Sequence, residues 1–403
     1  MKNKRFISTW NYLCYVVKRN QFEFVAFLID TFILVWAIIH WQELRGQTWI
    51  VLLISLLTGY LWQIYNIYAH YKDTLKKATY EEGTRPIVAP NSDNKYKLSE
   101  DVDNRYEPIS GIPDFVKLKS DYSFLTNEGP ISIEQNKNKA HNTEILIDSM
   151  WPVLSVFLNE KYHSTRNFHN EKKLCLASEI TKKGNQWEAS VCEGNYYNSY
   201  LTNSIYNTYL LESGSGSHFY PPYCALNEEI QLLERSKMSD HIGVSTLLRA
   251  SDGKICLPVQ VKDAAYNSRK VVPTGSGSVD YDDAKGTKDL RQIIIRAAER
   301  ELKEETLFDA QEWRDKQINV QTRIIGFYRD LSRGGKPEFC CVTDVPLPSE
   351  QIPIHPQKLE QYERFNDFYK IKECLEEKLQ IFKEFAISDT LRANLYFLKS
   401  LSD

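Results

Sequence analysis

The most constraining stretch of this 403-residue chain begins at Gly286 and ends in Arg300-Glu301-Leu302-Lys303-Glu304-Glu305-Thr306-Leu307. Glu301, Glu304 and Glu305 stand at i, i+3 and i+4, a spacing that gathers their carboxylates on one face of an α-helix while Ile295, Ala298 and Leu302 turn inward. Neighbouring acids repel one another and weaken a helix unless positive charge sits among them. A hard divalent cation with oxygen ligands answers that need, so the trio predicts Mg²⁺ carrying a phosphate. The bland alternative is a solvated acidic face.

The flanks argue against the bland reading. Val244–Arg249 and Lys254–Val261 read as strands joined by a turn at Ser251-Asp252-Gly253, and Val320–Tyr328 and Pro337–Thr343 read as further strands around Arg333-Gly334-Gly335-Lys336. Gly275 and Gly277 sit in the loop that leads to the acidic helix.

The acidic run resembles the Nudix box, in which a glycine, a glutamate and an Arg-Glu-aliphatic-any-Glu-Glu core follow at set intervals. Gly286, Arg300, Glu301, Leu302, Glu304 and Glu305 fall at those intervals, whereas Gln292 stands in the place of the first glutamate and no glycine follows the Glu304-Glu305 pair. The resemblance implies a Nudix α/β/α sandwich with a mixed sheet. It implies Glu301, Glu304 and Glu305 as metal ligands and catalytic groups, with Arg300 orienting Glu301. On the same reading Gly275, Gly277, Arg333 and Lys336 contact substrate, and Glu338 is a further ligand or base on the far side of the pocket. An exposed strand-end acid is the competing reading of Glu338. Gln292 is expected to keep a hydrogen bond to Arg300 while losing the ion pair.

A formal net charge of −3 does not indicate nucleic acid as a partner, and no DNA binding is expected. The eight cysteines form no Cys-x-x-Cys pair, which argues against a zinc site or a disulfide framework and for reduced thiols.

The N-terminus has another character. Phe24–Trp41 and Trp49–Tyr68 are mostly apolar, with aromatic residues toward their ends and basic residues outside them. They predict a transmembrane hairpin (spans about 22–41 and 48–68) with both termini cytoplasmic. The expected organisation is a membrane hairpin over 1–77, a polar linker over 78–142, an extension over 143–235, the Nudix core over 236–348 and C-terminal helices over 349–403. Within it, Thr143–Leu158 and Gln357–Phe385 carry helical apolar periodicity.

Tyr200-Leu-Thr-Asn203, together with the hairpin, resembles the transmembrane Nudix effectors that accompany cyclic-nucleotide-producing nucleotidyltransferases (CD-NTases) in CBASS antiphage defence. That resemblance implies a multi-pass, homo-oligomeric protein of the bacterial inner membrane that senses a cyclic oligonucleotide, with a lipid bilayer as the target of its growth-arresting action. A Mg²⁺-dependent hydrolase of nucleoside diphosphate derivatives such as NAD stays open beside it.

Overall fold

The computed structural model describes residues 2–19, isolated positions between 31 and 65, and 87–90, 96–119, 129–164, 168–211, 218–219, 229–261, 267–306, 318–352, 362–364 and 367–400. The chain divides into two units: 91–146 with 171–207 and 226–403, and 1–90 with 147–170 and 208–225.

The larger unit is built on a mixed sheet. Its labelled elements are strands β1 (Tyr106–Ile109), β2 (Ile112–Leu118), β3 (Ile131–Gln135), β4 (Lys172–Leu176), β5 (Gln186–Asn195), β6 (Gly243–Ala250), β7 (Lys254–Cys256) and β8 (Gly275–Ser278), helix α1 (Leu290–Thr306), strands β9 (Gln321–Asp330), β10 (Lys336–Val345) and β11 (Phe368–Lys370), and helix α2 (Asp389–Ser400). The main sheet runs β11-β7-β6-β10-β9-β2-β1, with β8 sharing the edge of β6 that β7 also uses. β6 and β10 pair in parallel from Gly243↔Glu338 to Ala250↔Val345, and all other pairings in this sheet are antiparallel. Both central strands are buried along nearly their whole length, as parallel strands covered on two faces must be.

Helix α1 covers one face through Ile293, Ile294, Ala297, Ala298 and Leu302, all buried, while Ile295, expected inward, is half-buried at the margin of that stripe. A Cβ on Gly275 would stand 2.9 Å from the Leu302 backbone, so glycine is what lets strand and helix approach. Helix α2 covers the opposite face. Asn394 Nδ2 donates to Ser245 Oγ at 2.7 Å, and the Phe397 ring lies over Gly326. Gly275 pairs with Thr246, the neighbour of Ser245 in β6, and successive strand residues point to opposite faces. The result is a helix–sheet–helix sandwich.

A smaller sheet, ordered β3-β5-β4, lies along the strand ends. The outer edge of β4 is not bare: Leu174 N donates to Val279 O (2.9 Å), Ile242 N to Leu174 O (2.9 Å) and Leu176 N to Asp240 O (3.0 Å).

Several expectations change. The stretch read as linker contains β1 and β2, which form the edge of the main sheet with Ile112, Phe115, Val116 and Leu118 buried. Within that stretch the short apolar piece Ile109–Val116 reads as able to dock on a neighbour, and its end pairs with β9. The helix expected over Thr143–Leu158 is two helices, Lys137–Ser149 and Trp151–Ser164, and Pro152 takes a first-turn position of the second. In place of one helix over Gln357–Phe385, β11 pairs with β7 and is followed by short helices at Ile371–Leu375 and Gln380–Glu384. Glu377 between them has φ 49°, which a continuous helix cannot accept.

The other unit contains the helix Lys2–Arg19, in which Tyr12 stacks on Tyr162 at 4.2 Å and donates a hydrogen bond to Asn159 Oδ1 at 3.1 Å. Among the described residues no helix is long and apolar enough to cross a membrane. That finding overturns the expected transmembrane hairpin, and with it the multi-pass inner-membrane placement with both termini cytoplasmic. Lys2–Arg19 is 18 residues long but carries Lys2, Lys4, Arg5, Lys18 and Arg19, charges that the hydrocarbon of a bilayer penalises. Most of 22–41 and 48–68 lies outside the described residues.

Candidate functional site

The site on the α1 face begins with Arg300. Its Nη1 donates to Glu301 Oε1 (2.8 Å), its Nε and Nη2 reach the two oxygens of Asp283 (3.1 and 3.0 Å), and Nη2 also donates to Ser278 O (2.9 Å). Asp280 Oδ2 at 3.5 Å and Glu304 Oε1 at 3.6 Å complete an acidic ring about the guanidinium. The 3-10 turn Tyr281–Ala284 sets up this grip, because the Asp280 amide donates to Asp283 Oδ2 at 2.9 Å and holds that carboxylate toward α1. Burial opposes the charge of Arg300, but the hydrogen bond to Asp283 and the neighbouring Glu301 and Asp280 raise its pKa above the ordinary value.

Glu301 is buried, and a Cβ on Gly277 would run into its carboxylate. The glycine is the space the glutamate uses. Burial pushes the Glu301 pKa up to about 7, overriding the opposite pull of Arg300. Glu304 differs sharply: its side chain is 58% exposed. Glu305 lies in the helix, and its side chain is outside the described set. Gln292 does not brace Arg300; it is exposed and accepts a hydrogen bond from Thr287 Oγ1 at 3.0 Å. Asp283, whose two oxygens accept from Arg300 Nε and Nη2, takes the place expected for Gln292.

Arg333, Lys336 and Glu338 form a separate group. Lys336 Nζ is paired with Glu338 Oε1, and Arg333 Nη1 stands 3.5 Å from the same oxygen. Glu338 is buried rather than an exposed strand-end acid. Burial drives the Lys336 pKa down to about 8. Gly243 pairs with both Ser278 and Glu338, whereas Val244, the next residue, pairs with Gly277 and Phe339. Since Glu301 lies over Gly277 and Glu338 against Gly243, the two groups occupy opposite faces of the sheet. Glu301, Glu304, Arg300, Gly275 and Gly277 therefore lie together on one face, while Arg333, Lys336 and Glu338 assemble on the other. Among the described residues no three Asp, Glu, His or Cys side chains are grouped to hold a metal.

Sequence reading missed Asp280 and Asp283; their signal was an acid-rich run just before Gly286. It also missed a buried network around Asn203. Lys139 Nζ donates to Asp240 Oδ2 (2.7 Å) and to the carbonyls of Leu233 (3.0 Å) and Ser236 (2.6 Å). Asn203 Nδ2 donates to Asp240 Oδ1 (2.9 Å) and Arg333 O (3.0 Å), and the Asp240 amide returns a bond to Asn203 Oδ1 (2.8 Å). Burial pushes Asp240 toward protonation, but Lys139 and Arg329 outweigh it and hold the pKa below the usual carboxylate value.

No family model matches the chain, and no curated protein matches it. Among solved structures, the MutT protein of Methanosarcina mazei aligns over 40% of this chain and 96% of its own at 15% identity and a TM-score of 0.27. RenU, a Nudix hydrolase of M. smegmatis, aligns over 47% and 92% at 13% identity and a TM-score of 0.25. A Deinococcus radiodurans protein, DR0079, aligns over 38% and 80% at 15% identity and a TM-score of 0.26. Scores of this size leave fold and function to be read from the chain's own residues.

Proposed function

We propose that the chain carries a Nudix-type, Mg²⁺-dependent hydrolase site for nucleoside diphosphate derivatives, of which NAD is one example. The observation that supports it is the grip of Arg300, which fixes Glu301 against the β8 strand while the Glu304 carboxylate one helical turn on stays open to solvent. The donor set suits the cation in kind: all are carboxylate oxygens, and Glu301 is buried with less positive charge around it than its ionised form needs. Glu301, Glu304 and Glu305 would hold Mg²⁺, which when bound polarises the phosphoanhydride and lowers the pKa of water. Arg300 bonds Glu301 through Oε1, leaving Oε2 as the atom placed to accept a proton from an attacking water. Gly275 and Gly277 keep the strand close enough for α1 to hold that geometry.

The reading is tested by incubating the full chain with Mg²⁺ and a panel of nucleoside diphosphate derivatives that includes NAD, and following release of nucleoside monophosphate. Release that disappears in Glu305→Gln is the expected result. A second reading, a receptor that binds a cyclic oligonucleotide as a homo-oligomer without turning it over, draws support from Gln292, which leaves the box one acid short and untied to Arg300. Tight binding of a cyclic di- or trinucleotide, with no monophosphate released from any member of the panel, would replace the hydrolase with the receptor.

A further inference from the structure

On the α2 side of the larger unit lies a hollow of about 390 Å³ that none of the box residues touches. Its size falls within the ~300–1,000 Å³ usual for small-molecule sites. Arg392, Leu395, Tyr396 and Lys399 line one wall, and their i, i+3, i+4, i+7 spacing makes them a single stripe of α2. The facing wall comes from Leu375, Glu377 and the β1–β2 turn at Ser110. Polar ends and an apolar middle are thus built into one helix face.

The charges have an arrangement of their own. Arg392 and Lys399 are two turns apart, about 10 Å along the axis, with Tyr396 between them. Arg392 has an acidic neighbour, Asp389, at 3.6 Å, on its own helix. Lys399 is exposed, and among the described residues no hydrogen bond or ion pair is made by its ammonium. Glu377 is the acid in the lining, held across from the helix by a backbone with φ 49°.

We infer that this hollow binds a phosphate ester of mononucleotide size, its phosphate on Lys399 and its flat apolar part against Tyr396 and Leu395. Glu377 on the opposite wall repels the phosphate and so fixes which end of the ligand faces the helix. Because box and hollow share no residue, the inference stands whether or not the box is catalytic.

The probe is AMP titrated into the full chain by calorimetry, with adenosine as the phosphate-free arm. AMP should bind in the millimolar range or tighter, and adenosine more weakly. Lys399→Ala, an exposed change that leaves the fold alone, should weaken AMP about tenfold, as loss of one charge-assisted contact does, and Lys399→Arg should retain it. The titration is run without Mg²⁺, so that AMP, a product of the proposed box reaction, is not held at the box through the metal and saturation reports the hollow. The inference fails if AMP gives no saturable heat, if Lys399→Ala binds AMP as well as the parent, or if adenosine binds equally well.

Discussion

Two ionic groups in the larger unit are made of the same chemistry and put to opposite uses. Around Asp240 every charge is enclosed: Lys139 and Asp240 are both buried, and Lys139 spreads its three donors over Asp240 and two carbonyls. Around Arg300 the carboxylates outnumber the cation, and Glu304 remains largely in water. A closed network spends its interactions on holding the chain, and an acid excess at the surface keeps capacity for a ligand. Satisfaction of donors and acceptors, more than charge itself, separates scaffold from site.

The most severe way to break this contrast is Asp240→Ala. Removing one member of a buried pair strands Lys139, and the expected cost is about 3–5 kcal/mol, read as a large fall in the urea midpoint. A loss below about 1 kcal/mol would mean that the network behaves like a surface pair and the contrast is wrong.

Asp330 offers a pH test on the buried side. Burial raises its pKa from 3.8 to about 6, so the folded state binds more protons than the unfolded state between those values and stability falls as pH rises through them. The fall is on the order of 3 kcal/mol, complete by about pH 6 and absent below about pH 4. Asp330→Asn should flatten the curve, and an unchanged slope in that variant would exclude Asp330 as its source.

On the site side, Arg300→Lys keeps the charge but loses the fork that serves Asp283 and Glu301 together. Stability should drop by about 1–2 kcal/mol while activity on the best substrate drops more than tenfold; parallel, equally small losses would make Arg300 a structural clamp only. The mildest change is Gln292→Glu. Because Gln292 meets Thr287 and not Arg300, stability should move by less than about 0.5 kcal/mol and turnover by less than about twofold. A large gain in turnover would show that position 292 acts at the site after all.

How far the sequence reached depended on whether the signal was local. The i, i+3, i+4 acids and the final helix were legible from their spacing, and the β6 and β9–β10 strands as short runs bounded by turn residues, because each signal is local. The partners of Arg300 were half legible: Asp283 is near in sequence, but only the 3-10 turn reveals that it reaches the guanidinium. Opposite placement of Glu301 and Glu338 was not legible, since it follows from strand register between Gly277, Val244 and Gly243. The membrane reading rested on hydropathy, which measures how much a segment avoids water, and among the described residues no helix is long and apolar enough to cross a membrane.

The seam along β4 has a practical consequence. Residues 240–242 and 279 take up its outer amides and carbonyls, so a chain trimmed to 236–348 would lay those backbone groups bare together with the margin of β9 that β2 now occupies. Unpaired margins of that kind recruit one another. The minimal box module would clump, and the upstream strands act as its built-in stopper.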